Sequence, residues 1–229
     1  MEMIDMLRKV PLFAELDEDE LRAVTSLANS LDIPKKNIVF QEFDLGDSMY
    51  VILKGEVKIS TYSAEGREVV LALLEKGSFF GELSLLDEEP RSATVTTMED
   101  SKFAHIRRRD LTSLLLEQPA ITLKILKELA SRLRRTSRVL ERISSMDVPH
   151  RLYAYLVDHC KRFSQPDEDD CYSTILPTHQ LLADQLSTSR ETISRAISQL
   201  KKDGLLVQGE GRGKMRVDVD ALEDRLDDF

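Results

Sequence analysis

Two clusters of residues in this sequence could do chemistry. The first is the run GELSLLDEEPRSATV, residues 81–95. Gly81, lacking a Cβ, lets the backbone approach a ligand closely. Glu82 to Leu86, with Leu83 and Ser84 between them, can form one helical turn. The start of such a turn offers unpaired N–H groups, a seat for an anion. Arg91 adds a planar donor fork that matches phosphate oxygens, and Ser92 adds a hydroxyl. Glu82 is an acceptor that repels phosphate, so it suits sugar hydroxyls or a cation such as Arg132. The chemistry to expect is a grip on a molecule with a sugar at one end and a phosphate at the other. On these residues alone a surface loop closed by a Glu82–Arg91 salt bridge remains an open alternative.

The second cluster is SRETISR, Ser189 to Arg195. An arginine matches the two major-groove acceptors of guanine, and a carboxylate accepts from the cytosine amino group. Arg195 follows Arg190 by five positions and Glu191 by four, so with Ser194 these groups share about one helical face. Ile193, Ala196, Ile197 and Leu200 would form the buried face. Thr178, Thr188, Lys201, Lys202 and Arg212 suit phosphates, which position a protein without reading sequence. The competing reading is a surface helix whose charges are merely solvated.

Both clusters need elements to hold them. Residues 3–32 read as helical, with apolar residues at helical spacing through DEDELRAVTSLANSL. From Ile33 to about Ile106, short runs rich in Val, Ile, Tyr and Phe are punctuated by Gly46, Gly55, Gly66, Gly77 and Gly81. That pattern predicts a small β-roll, with a hairpin around Ala64-Glu65-Gly66. A helical signal then runs from Arg109 to Ser145, broken only by Pro119. Leu126, Leu129, Leu133, Thr136, Leu140 and Ile143 alternate spacings of three and four, a heptad seam that predicts a homodimer. Thr136, its polar member, would fix the register. Asp147-Val148-Pro149 stops this helix, and HRLYAYLVDHCKRF begins another. Two short helices, THQLLADQL and SRETISRAISQLKKDG, are then separated by Ser187-Thr188. Thr188 and Glu191 have the spacing of a capping box, and the β-like LLVQGEGRGKMRVDV completes a winged helix-turn-helix. The fold class expected is α+β: a β-roll over residues 1–108, a dimerisation helix and hinge over 109–147, and a winged helix-turn-helix over 148–229.

Composition narrows the classes. At 229 residues, 41% hydrophobic and 32% charged, the chain reads as a soluble globular protein. No apolar run approaches the ~18 residues of a membrane span, and MEMIDMLRKVPLF is too acidic and broken for a secretory signal. Cytoplasmic residence without membrane contact is expected. Cys160 and Cys171 form no CxxC pair, and His105, His150, His159 and His179 lack metal spacing, so no metal is expected. The net charge of −9 is an average: the tail from Asp218 holds six acids against one arginine, while 131–142 and 189–214 are basic. No nucleophile–base constellation or Walker loop is present, so an enzyme is not expected.

With these residues in place, FGELSLLDEEPRSATV resembles the phosphate-binding cassette of cyclic-nucleotide-binding domains, and SRETISR resembles the recognition helix of CRP/FNR transcription regulators, nearest the cyclic-AMP receptor branch. The order of parts matches along essentially the whole chain. The resemblance implies that Glu82 bonds the ribose 2′-hydroxyl. Arg91 and Ser92 would hold the cyclic phosphate, with backbone near Gly81 and Ala93. Thr136 would touch the adenine, Ser137 would reach the nucleotide of the other subunit, and Arg132 could pair with Glu82. It implies cyclic AMP as effector, double-stranded DNA and RNA polymerase as partners, and a palindrome of TGTGA-like half-sites. Ser194 completes Glu-x-x-Ser-Arg, which keeps TTGAT-like half-sites as the alternative. Effector binding would re-register the coiled coil through Asp147, bringing the recognition helices about 34 Å apart.

Other effectors fit the same fold: cyclic GMP, cyclic di-GMP, an organic or aromatic acid, or a gas on haem, with His105 the only candidate haem ligand. Activity without ligand is a further alternative. An iron–sulfur sensor would need a cysteine cluster near the N-terminus, which this sequence lacks. A pure dimerisation adaptor would have no use for Arg190.

Overall fold

The computed structural model describes residues 3–167, 171–209, 211 and 213–227. In chain order its elements begin with α1 (Met3–Leu7), a 3-10 turn at Pro11–Phe13 and α2 (Glu18–Leu27). Eight strands and one helical turn follow: β1 (Ala28–Ile33), β2 (Ile38–Phe40), β3 (Ser48–Lys54), β4 (Glu56–Tyr62), β5 (Glu68–Glu75), β6 (Phe79–Phe80), α3 (Leu83–Leu86), β7 (Thr94–Thr97) and β8 (Ser101–Arg107). Then come α4 (Arg108–Glu117), α5 (Pro119–Ser145), α6 (Val148–Phe163), β9 (Cys171–Ile175), α7 (His179–Gln185), α8 (Arg190–Lys202), β10 (Leu206–Gln208), β11 (Lys214–Asp218) and α9 (Val219–Asp227). The chain divides into two compact bodies between Leu133 and Arg134, part-way along α5.

The first body contains two four-stranded sheets, ordered β1-β8-β3-β6 and β2-β7-β4-β5. Ile52, Val57, Leu74, Phe80, Val95 and Phe103, drawn from both sheets, share one core. The first sheet has a second covered face, where Met49, Val51, Leu53, Ala104 and Ile106 pack with Leu7, Phe13, Leu21, Leu111, Ile121 and Ile125. Burial on both faces explains why β3 reads as the unbroken apolar run MYVIL rather than as an alternation. The β4–β5 hairpin closes where expected, with Gly66 at φ 74°.

Helix does not extend to residue 32. Ala28–Ile33 is a strand paired in register with β8, from Ala28 opposite Ile106 to Ile33 opposite Ser101. It lies at the edge of its sheet and is mostly exposed, so its residues show no β alternation. Pairing with a distant strand overrides local helical spacing.

Pro119 divides the predicted long helix into α4 and α5, sitting at the first position of the second, where proline is tolerated. The stop at Asp147-Val148-Pro149 is also a start. The Asp147 carboxylate caps α6, accepting from the His150 N–H at 3.0 Å.

In the second body α6, α7, α8 and α9 surround a core of Leu152, Leu156, Leu182, Ile193, Ile197, Leu200, Val217 and Leu222. A three-stranded sheet, β10-β11-β9, supplies the wing. Ser187, in the turn between α7 and α8, takes φ 52°, a left-handed conformation costly for any residue with a Cβ. Ser187→Gly should therefore stabilise the second body by roughly 0.5–1 kcal/mol. A raised urea midpoint would confirm it, and a lowered one would show that the hydroxyl matters more than the strain.

Candidate functional site

Arg91 is 4% exposed. It does not pair with Glu82, so the salt-bridged surface loop is not the arrangement the chain adopts. Its Nη1 donates to the Gly81 carbonyl at 2.7 Å and to Ser84 Oγ at 2.9 Å, and its Nη2 donates to the Ser48 carbonyl at 2.7 Å. The guanidinium lies over the Phe40 ring, 4.1 Å from its centroid. A guanidinium has five N–H donors; these bonds occupy three, and Nε is buried with no partner. The N–H groups left over sit on the adjacent nitrogens Nε and Nη2, an edge suited to two oxygens of one anion. Burial pulls the guanidinium pKa down, while Tyr50, Asp47, Asp44 and Glu82 oppose that pull.

Close packing sets this geometry. A Cβ on Gly46 would come within 2.3 Å of Ser84 Oγ and 2.8 Å of the Arg91 guanidinium carbon. Gly81 is at φ 79°, and a Cβ there would meet Arg91 Nη1 at 2.7 Å. Arg108 ties the two segments, donating from Nη2 to the Gly46 carbonyl at 2.9 Å and the Ser84 carbonyl at 2.8 Å. Sequence reasoning missed Phe40, Gly46, Ser48 and Arg108. Gly46 carried a signal as a glycine between two strands, whereas the contacts of Phe40 and Ser48 depend on tertiary pairing.

Glu82 is 2% exposed and pairs with Arg132, carboxylate oxygen to Nη1 at 2.9 Å. Arg132 also donates to Glu128 at 2.9 Å and to the Phe79 carbonyl at 2.7 Å. Burial raises the Glu82 pKa, with the Arg132 charge and a backbone N–H opposing it. Leu83 and Ser92 are exposed, while Ser84 and Ala93 are buried beside them.

On the second body, Thr178 caps α7 and accepts from the Leu181 N–H at 3.2 Å. The cap of α8 is Ser189, whose hydroxyl accepts from the Thr192 N–H at 3.2 Å. Thr188 is not the cap: its N–H donates to the Ala183 carbonyl and closes the turn. The helix begins one residue later than the Thr188–Glu191 spacing implied, because Ser189 is an equally good cap and the turn consumes Thr188. Arg190, Glu191 and Arg195 are exposed at the start of α8 and Ser194 is half-buried, while Ile193, Ile197 and Leu200 are buried on the opposite side. Lys201 and Lys202 are exposed at its end. Arg212 lies outside the described residues.

Residues 31–118 match the cyclic nucleotide-binding domain, and residues 150–225 match the Crp-like helix-turn-helix domain. The CRP-like cAMP-activated global transcriptional regulator of Mycobacterium tuberculosis is 30% identical over 97% of this chain and 99% of its own. The cyclic AMP receptor protein of Thermus thermophilus is 31% identical over 90% of this chain and 92% of its own. The chain belongs to the CRP/FNR family of transcription regulators. Among solved structures, the c-di-GMP responsive regulator CLP of Xanthomonas campestris superposes with a TM-score of 0.74 at 26% identity, over 88% of this chain and 98% of that one.

In this CRP/FNR regulator five of the six α5 residues at heptad spacing, Leu126, Leu133, Thr136, Leu140 and Ile143, are exposed. Leu129 packs against the core of its own body together with Ile121 and Ile125. Leu123 and Ala130 are exposed on the same helix, so Leu123, Leu126, Ala130, Leu133 and Leu140 form an exposed apolar stripe that includes Ser137. Thr136 and Ser137 are exposed on α5 beyond Arg132, and Ile143 is exposed in its last turns. His105 is half-buried in β8, hydrogen-bonded through Nε2 to Ser48 Oγ at 3.0 Å. Among the described residues no group of His, Cys, Asp and Glu is arranged to hold a metal, and no helix is long and apolar enough to cross a membrane.

The raised pKa of Glu82 has a stability consequence with a definite sign. Folding disfavours its ionised form, so its contribution is complete below the ordinary carboxylate range and is lost as pH rises through the elevated value. Glu82→Gln removes that dependence. Relative to wild type, the Gln protein should gain stability in urea melts as pH rises from the ordinary carboxylate range through the elevated value; a relative loss over that rise would mean that the Arg132 pairing outweighs burial.

Proposed function

We propose that this regulator is gated by a cyclic nucleotide, cyclic AMP foremost, and reads a palindrome of TGTGA-like half-sites as a homodimer. The observation carrying the reading is the buried Arg91 guanidinium, which has neutral acceptors on three N–H groups and none on Nε. A cyclic phosphate has one negative charge and two free oxygens, which match that donor edge. Ser92 and the backbone at Gly81 and Ala93 would surround it, with Leu83 and Ser84 in the same turn. Glu82 would accept from the ribose 2′-hydroxyl while Arg132 balances its charge. Thr136 would meet the base, and Ser137, on the exposed stripe of α5, would reach the nucleotide of the second copy.

Two relatives whose names carry cyclic AMP support the choice, and the likeness to a c-di-GMP responsive regulator makes cyclic di-GMP the second reading. On the second body, Arg190, Glu191 and Arg195 would read base edges. Thr178, Thr188, Ser189, Lys201 and Arg212 would hold phosphates, with Ser194 beside them. RNA polymerase is the further partner this role needs.

Calorimetric titration of the full chain with cyclic AMP, cyclic GMP and cyclic di-GMP tests the effector. Cyclic AMP should bind, and Arg91→Ala should weaken it at least about a hundredfold, since charged hydrogen bonds contribute ~1.5–3 kcal/mol each. Binding of cyclic di-GMP alone would transfer the site to the second reading. Binding of none, by a folded protein, would remove cyclic nucleotides from the account.

Gel shifts on TGTGA and TTGAT palindromes test the DNA reading. Arg190→Ala should reduce the preference for TGTGA by about tenfold or more, and retained discrimination by that variant would exclude Arg190 as the reader.

A further inference from the structure

We infer that His105 is a positioning residue of the Arg91 site, acting through Ser48. Ser48 is 1% exposed and stands at the start of β3, where its carbonyl accepts from Arg91 Nη2 at 2.7 Å. Its hydroxyl meets two groups: an Asp47 carboxylate oxygen at 2.5 Å and His105 Nε2 at 3.0 Å. A hydroxyl has one hydrogen, and a carboxylate can only accept. The hydrogen therefore goes to Asp47, which obliges His105 to donate from Nε2. The result is a directed chain, His105 to Ser48 to Asp47, that fixes the Ser48 side chain beside the carbonyl seating Arg91.

The surroundings hold the imbalance of this chain in one direction. His105 faces Tyr50 across the β3–β8 pair, ring centres 5.4 Å apart, and Tyr50 stacks on Phe80 at 5.2 Å. The imidazole is thus wedged by an aromatic group that also includes Phe103 and Phe40, the ring lying under Arg91. Asp47 is held below the usual carboxylate range, chiefly by the Ser48 hydroxyl, with His105, Arg91 and Arg107 adding to it against burial. Tied to Ser48, the Asp47 carboxylate stays off the guanidinium, and Arg91 keeps only neutral acceptors. Without the His105 donor, the Ser48 hydroxyl loses one of its two restraints and is held only by the exposed Asp47 carboxylate.

The binding arm of the test rests on the cyclic-nucleotide reading, and a second arm does not. In the ligand-free full chain, the Arg91 Nε–Hε nuclear magnetic resonance, assigned by its loss in Arg91→Lys, should shift and broaden in His105→Leu. It should return to the wild-type position in His105→Gln, whose amide can donate to the same hydroxyl. An Arg91 resonance unchanged in His105→Leu overturns the inference.

In titrations with cyclic AMP, His105→Leu and Ser48→Ala should each weaken binding about tenfold. The double variant should be no weaker, and His105→Gln should lie within about twofold of wild type. Fully additive losses, or a Gln variant as weak as Leu with an unchanged melting midpoint, would overturn it. If wild type binds no cyclic nucleotide, the effector reading falls and the resonance alone decides the relay.

Discussion

Placing a guanidinium out of water without a carboxylate is costly, by several kcal/mol even after relaxation. The amino-terminal body does this to Arg91, and much of its loop structure follows. The carbonyls of Gly81 and Ser48 and the hydroxyl of Ser84 must converge on one side chain from three segments distant in sequence. Gly46 and Gly81 must be glycines, because a Cβ at either would enter the space the guanidinium fills. Arg108 then binds the Gly46 segment to α3. Such a site is an incomplete charge balance, which the proposed cyclic phosphate would complete.

Glu82 is the mirror case in the same turn: an equally buried acid that does have a counter-charge, supplied by Arg132 from α5. Two opposite charges so close in sequence thus find different solutions, one a counter-charge and the other neutral acceptors alone. Because the Glu82 partner comes from α5, any group that competes for Glu82 acts on that helix as well as on the β-roll. The exposed apolar stripe of the same helix lies on another side from Arg132, so both demands coexist in one element.

The architecture was legible where a local pattern had a single physical cause. The glycine-punctuated apolar runs became strands, Asp147 and Pro149 marked a helix boundary, and Ile193, Ile197 and Leu200 formed the buried face of α8. It was misread where two causes produce the same pattern. Ala28–Ile33 carries helical spacing but is recruited by β8; Thr188 and Ser189 are both acceptable caps, and only the turn decides between them. Leu129 fits a heptad seam as well as it fits the core that claims it. Within the site, Glu82, Arg91 and Arg132 were visible as charged residues in a motif. Phe40 and Ser48 were not, since a ring and a carbonyl become site groups only through the strands that bring them there.

The division of the chain inside α5, rather than in a loop, makes this helix a standard of phase. Each residue of an α-helix advances the axis by 1.5 Å and turns it by about 100°. One residue inserted between Leu133 and Arg134 would leave both bodies folded while turning Ser137 and Leu140 out of line with Leu123 and Leu126. Seven inserted residues would return them to within about 20°. Within the proposed homodimer, the length of α5 would therefore be specified modulo the heptad.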